Sequence, residues 1–233
     1  MKAPNDITAL MQLLQMSDST FPVGTFSFSN GLETAAYEKI VHDADTLHQY
    51  VTSVSLQGAY TDGIAAIHAY RTTLDGDLEV LKEIDRKLMM CKLNDESRLM
   101  LIRMGKKLSE LAVRLVPDNA LLAGWLDAIN SGEISGSYPV TQGIVFAVKG
   151  LSEEALFASH QYGVINMVLG AALRLVRVSH YDTQLILEDM SLKIPEIYEH
   201  VRTLGMSDIN CFVPQMDILA SLHEKGTMRM FMN

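Results

Sequence analysis

Cysteine is almost missing from this chain: Cys91 and Cys211 are the only two in 233 residues. Two isolated thiols make neither a disulfide framework nor a zinc spacing, and a reducing, cytoplasmic setting is expected. A basic leader is missing too, because MKAPNDITALMQLLQM carries one lysine, an acid and only a short apolar run, so no signal peptide is expected. Positive charge is short: 19 Lys and Arg stand against 28 Asp and Glu, a formal net charge of -9. That speaks against nucleic acid as a partner and leaves room for a basic protein. The most apolar stretch, Tyr162 to Val178, is short for a membrane span and contains Asn166, Arg174 and Arg177, so no membrane partner is expected.

Catalytic signatures are missing as well. No Gly-x-Ser-x-Gly elbow, Cys–His signature or dinucleotide fingerprint occurs. Gly24 and Gly31 are too far apart for a phosphate loop, and Leu32-Glu33 stands where lysine and a hydroxyl belong. Of the seven histidines (42, 48, 68, 160, 180, 200 and 223), no two share the i, i+3 or i+4 spacing that puts two ligands on one helix face. The 14 methionines fit core gap-filling better than soft-metal binding, and Met228, Met230 and Met232 read as an adaptable contact surface. No catalytic or metal site follows from these residues.

What the chain does have is one unusual turn, Asp18 to Glu33, between an apolar run and a long helical pattern. Pro22 and Gly24 break any helix there. Phe21, Phe26 and Phe28 supply more aromatic surface than a solvated loop needs, and Asn30 with Glu33 is spaced as a capping box. Phe26 and Phe28 are expected to be partly buried, with Ser27, Ser29 and Glu33 available for contacts.

Elsewhere the pattern is helical. Helices are expected over about 6–16, 30–39 and 43–73, the last broken at Gly58 or Gly63, with Leu47, Tyr50, Val51, Val54 and Ala65 inward. Residues 78–116 split at Asn94, and Arg98, Arg103, Lys106 and Lys107 make the second half the most basic part of an acidic chain. Pro117-Asp118 ends that helix and starts the one carrying Trp125. Residues 143–150 are assigned to helix, because one isolated strand would have nothing to pair with. Tyr162 to Val178 is apolar on almost every face, as a buried central helix is, with Gly163 and Gly170 letting neighbours close in. Ser179 with Asp182 opens a helix, and Pro195 is placed in the first turn of the next. The fold class is all-α, a single-domain helical bundle around a buried central helix. Residues 1–209 are expected to form the domain, and 210–233 a tail whose apolar end docks on its own domain or on a partner.

LLQMSDSTFPVGTFSFSNGLE resembles the N-terminal signature of the UreF family of urease accessory proteins. Further likenesses follow in order: Glu96-Ser-Arg98 with Gly105, Tyr138-Pro139 with Gly143, Ala171 to Arg174 with Gln184, and Asp217, His223-Glu224 and Arg229-Met-Phe231 near the end. The chain departs from the family's pattern at Ser137-Tyr138, where the usual histidine is lacking, and at Met230 and Asn233. The resemblance implies a non-catalytic maturation factor that assembles with UreD (also called UreH), the GTPase UreG and the urease apoprotein, often as a homodimer. It implies that nickel and GTP are handled by the complex, with no cofactor bound by this chain. It also implies partner-binding roles for Phe21, Pro22, Gly24, Ser27, Ser29, Gly31, Glu33, Arg98, Asp217, His223, Glu224, Arg229 and Phe231, and it tilts the tail 210–233 toward the UreD-like partner, mobile alone and ordered on it.

The alternative is a small helical enzyme using a carboxylate or arginine site. Because no ligand cluster is encoded, calorimetry on the dilute monomer is expected to show no sub-micromolar stoichiometric nickel site. Such a site would overturn this reading.

Overall fold

Why this chain folds as helices is visible at their starts. Asp43, Asp77, Asn94, Asn119, Ser152 and Ser179 each accept a hydrogen bond from a first-turn amide. Ser179 and Asp182 form the expected reciprocal box. The computed structural model describes residues 6–18, 20–24, 28–209, 213, 218–222 and 230–231. Among them are ten helices of six residues or more, a short helical stretch at 218–222, and no strand: α1 Asp6–Ser17, α2 Leu32–Tyr37, α3 Ala44–Gly58, α4 Ile64–Asp75, α5 Leu78–Met90, α6 Asp95–Leu115, α7 Ala120–Asn130, α8 Tyr138–Val148, α9 Glu153–Leu175 and α10 His180–Val201. The all-α, single-domain expectation holds.

The expected break between Gly58 and Gly63 is a widening. Residues Ala59–Gly63 form a π-helical turn that joins α3 to α4 without interrupting them. The split at Asn94 is real, with its side chain 2.8 Å from the Ser97 amide. Three expectations need correction. Asn30 does not cap α2; Gly31 does, in a left-handed conformation, and Asn30 is left-handed too. Pro195 lies inside α10, where Met190, Tyr198 and Val201 are buried on either side of it and packing overrides the local signal. The third concerns the centre. The helix wrapped on all sides is α8, with every residue from Pro139 to Ala147 buried. By contrast, α9 exposes Tyr162, and added side chains at Gly163 and Gly170 would meet open space.

Two glycines let α8 in. A Cβ at Gly143 would lie 2.4 Å from the Ala66 carbonyl oxygen, so α4 and α8 touch backbone to backbone there. A Cβ at Gly105 would lie 1.9 Å from the Gly136 carbonyl oxygen, so α6 presses on the loop that leads into α8. That loop is held from beneath by Asp85, which is fully buried. Its carboxylate accepts the amides of Ser135, Gly136 and Ser137 at 3.1, 3.0 and 2.7 Å. Trp125 Nε1 donates to Thr141 Oγ1 at 3.0 Å and fixes α7 on α8.

One apolar cluster joins α4–α8, with Trp125 and Phe146 at its centre. A second joins α2, α3, the later half of α9 and α10, and includes Leu219 and Phe231. So α9 links the two, with Leu156 in the first and Ile165, Val168 and Leu169 in the second. Arg71 grips Glu153 with two hydrogen bonds of 2.7 and 2.8 Å, and Tyr198 donates to the same carboxylate, tying α4, α9 and α10. The α1 helix is the exception: Ile7, Leu10, Met11 and Leu14 form a stripe that faces solvent.

Asp85→Ala would strand three amides, each costing about 1–3 kcal/mol. The expected loss is about 4 kcal/mol, a melting temperature lower on the order of 10 °C. Asp85→Asn keeps one acceptor and should fall between. An unchanged melting curve for the alanine variant would show that the loop does not depend on this carboxylate.

Candidate functional site

The Asp18–Glu33 turn is built inward. Phe21, Val23 and Phe28 are buried, while Pro22 and Gly24 are exposed, with Gly24 at φ +87°. Ser29 is fully buried, so it does not lie on the surface that the sequence suggested for it. Tyr50 donates its hydroxyl to the Asn30 carbonyl at 2.6 Å, and burial pushes its phenol above the ordinary range. A Cβ at Gly31 would come within 3.1 Å of that hydroxyl and 3.4 Å of Leu219, so glycine is required by both conformation and space.

Glu33 is not a free contact residue. Its carboxylate accepts the backbone amides of Met230 and Phe231 at 2.7 and 3.2 Å. Phe231 is buried in the second core cluster, and the Arg174 guanidinium lies 5.8 Å from its ring centre. Leu219 is buried in the same cluster. The expectation of a tail standing off the core is therefore revised at these positions: both pack on their own domain. Arg174 reaches the surface, as a charge on this helix must.

A cavity of about 140 Å³ lies beside this seat. Phe28, Asn30, Gly31 and Ala220 form one part of its wall, and Lys92, Asn94, Glu96 and Ser97 from the α5–α6 turn form another. The π-turn contributes Thr61 and Asp62, α6 contributes Met100 and Met104, and α9 contributes His160, Val164 and Met167. Lys92 Nζ lies 2.6 Å from Asp62 Oδ1, both side chains only 13% exposed. The contact is a close, half-buried ion pair. Arg98 donates through Nε to the Lys92 carbonyl at 2.7 Å, so it fixes the turn that carries the lysine. Gln57 Oε1 is buried on the wall with no hydrogen-bond partner among the described residues. Burial lowers the His160 pKa and keeps the imidazole neutral near pH 7, and it pushes the Tyr138 phenol up to about 12.

Of the residues singled out from sequence, Gly31, Glu33 and Phe231 are brought to one place, and Gly31 and the Arg98-held turn meet at one cavity. Ser27, Asp217, His223, Glu224 and Arg229 lie outside the described residues. Sequence reading missed Gln57, Asp62, Lys92 and His160. The only trace of them was the Gly58–Gly63 interval, which marks the π-turn; such turns recur at functional sites. Among the described residues, no three His, Cys, Asp or Glu side chains are placed to hold a metal ion. No helix among them is long and apolar enough to cross a membrane.

The described residues thus form an all-α domain whose N-terminal turn seats Met230 and Phe231 beside a polar-floored cavity. The UreF family profile matches residues 41–191. Urease accessory protein UreF 2 of Brucella canis is 43% identical over 227 residues, covering 97% of this chain and 93% of that protein. Urease accessory protein UreF of Yersinia pseudotuberculosis serotype IB is 39% identical over 224 residues, covering 96% and 98%. The chain belongs to the UreF family of urease accessory proteins.

Glu33→Ala removes the acceptor for two amides and is expected to cost about 1 kcal/mol. Hydrogen exchange at Met230 and Phe231 should speed up, while α8 amides stay protected. Unchanged exchange at the C-terminus would show that Glu33 does not hold it.

Proposed function

We propose that this chain is a non-catalytic assembly factor in urease maturation. The observation that carries the reading is its match to urease accessory proteins along nearly its whole length. In this reading it works in the cytoplasm as a homodimer, and joins a UreD/UreH-like protein and a UreG-like GTPase on the urease apoprotein. GTP is hydrolysed by the GTPase, and nickel is cargo of the complex. The solvent-facing stripe Ile7, Leu10, Met11 and Leu14 supports an assembly role, because exposed apolar surface of this kind marks contact sites. The C-terminal segment is the proposed docking element for the UreD-like protein. The Glu33 clamp then implies an exchange, in which the partner competes with the domain for the end of the chain.

A helical enzyme remains the second reading, favoured by the Asp62–Lys92 pair and the neutral His160 around one cavity. Co-purification with the two accessory proteins, with and without GTP, separates them. The expected result is a complex with all three chains, nucleotide-dependent only in the GTPase, and no turnover by the isolated chain in GTPase, hydrolase and lyase screens. Turnover surviving removal of every partner would establish the enzyme. Failure to form any complex would overturn the scaffold.

A further inference from the structure

The basic side of α6 takes no part in the site described above. The helix carries five bases and three acids in a chain whose net charge is -9. Its apolar side is fixed: Leu101, Met104, Leu108 and Ala112 are buried, and Gly105 lies against the Gly136 carbonyl. The other side carries Arg103, Lys106, Lys107 and Arg114, all exposed. Helical phase puts the four within an arc of about 100°, along ~16 Å of axis. Arg98 is out of phase with them and is engaged with the Lys92 carbonyl. Among the described residues none of the four forms an ion pair, and Glu110, the acid between them, pairs with none of them. Elsewhere bases do find carboxylates: Arg71 meets Glu153, Lys82 meets Glu79 and Glu133, and Lys193 meets Asp189. Exposed bases without an ion pair also occur as Lys39, Lys87 and Arg177, but these stand singly.

We propose that this side of α6 is a docking face for an acidic helix of a partner protein. Like charges held together on one face repel, and an opposite charge brought by a partner relieves that repulsion. The bases repeat with the helical rise, so carboxylates spaced at i, i+4, i+7 and i+11 on a helix laid alongside meet them in register. Arg103 and Arg114, near the two ends of the face, can each take a carboxylate with two parallel hydrogen bonds, and the lysines between them supply point charge. A long polyanion fits less well, because beyond this short face it would run over the surface of an acidic chain. The backbone beneath the face is held by the buried contacts of Gly105 and Met104, so the charges are presented from a rigid support. Contacts of this kind set the rate of encounter and the choice of partner more than they set affinity. The face adds one specific contact to the assembly role proposed above, and it rests on that reading for the identity of the partner.

The test uses the full chain at low salt. The probe is a lactam-stapled helical peptide with glutamates at i, i+4, i+7 and i+11, and its control has glutamine at those positions. Exposed ion pairs are individually weak, so four together are expected to make the glutamate peptide bind about tenfold tighter than the glutamine peptide. That preference should fade as salt is raised. Arg103→Gln with Lys107→Gln should cut it to about twofold, and Lys106→Gln with Arg114→Gln should act alike. Lys87→Gln with Arg177→Gln removes the same charge elsewhere and should leave it unchanged. All six positions are exposed, and equal melting temperatures check that each variant folds. Equal affinity for the two peptides, or an equal loss in the Lys87–Arg177 variant, overturns the proposal. Oligothymidylate binding to α6 more tightly than the glutamate peptide would overturn the protein partner in favour of nucleic acid. Capture of the two accessory proteins and the urease apoprotein, by the unsubstituted chain and by the Arg103–Lys107 variant, then identifies the partner as the one whose capture falls. A missing peptide preference with assembly intact removes only the docking face; a peptide preference without any complex removes only the assembly reading.

Discussion

A carboxylate with three backbone amides pointing at it is the constraint on which this structure turns. Successive amides around a left-handed glycine form a concave anion site. Here Gly136, at φ +66°, makes that concavity and Asp85 fills it from within the same chain. Its burial would be costly without those donors. With them the Ser135–Ser137 loop has one shape, and that shape lets the Gly136 carbonyl lie against Gly105 of α6. The same loop aims Tyr138 and Pro139 into the start of α8, and both residues line the cavity. One buried contact therefore sets the most enclosed helix and one wall of the site.

The N-terminal turn does for the chain's ends what Asp85 does for the core. Tyr50 fixes the Asn30 carbonyl, Gly31 leaves room for Leu219, and Glu33 takes the amides of Met230 and Phe231. A motif that looks in sequence like a surface for others is in the structure a socket for the chain itself. These roles are compatible. Surface that binds the chain's own end can be offered to another protein only when that end moves, and an exchange of this kind gives a contact that can be switched.

How much of this was legible follows from the range of each signal. Helix starts are local, and Asp43, Asn94 and Ser179 stand where short-range rules put them. The inward faces of α3 are periodic and equally readable. Apolarity misled at 162–178, because a helix that is apolar all round can still present one side to solvent; α8 is wrapped because Gly143 and Gly105 admit neighbours that only the fold supplies. Asp85, far in sequence from the loop it holds, left no local mark. Asp62 and Lys92 were equally silent, since their meeting depends on where the π-turn and the α5–α6 turn come together. Arg98 was noticed as part of a basic face, yet its defined contact is the Lys92 carbonyl, which makes it the residue that sets the lysine's position.

The Asp62–Lys92 pair bears on what kind of protein this is. A buried ion pair recovers little net stability after desolvation. A domain that needed only to be stable would do as well with apolar residues there. Nor does the pair make a catalytic centre by itself. The lysine is neutralised by its partner, and the nearby imidazole is held neutral without a described carboxylate to orient it. What the arrangement does supply is charge in a confined, mostly apolar space, at the junction of two turns that also shape the surface. Confinement of that sort discriminates among side chains far better than it transforms them, because an incoming group must satisfy the polar end or leave it unpaired.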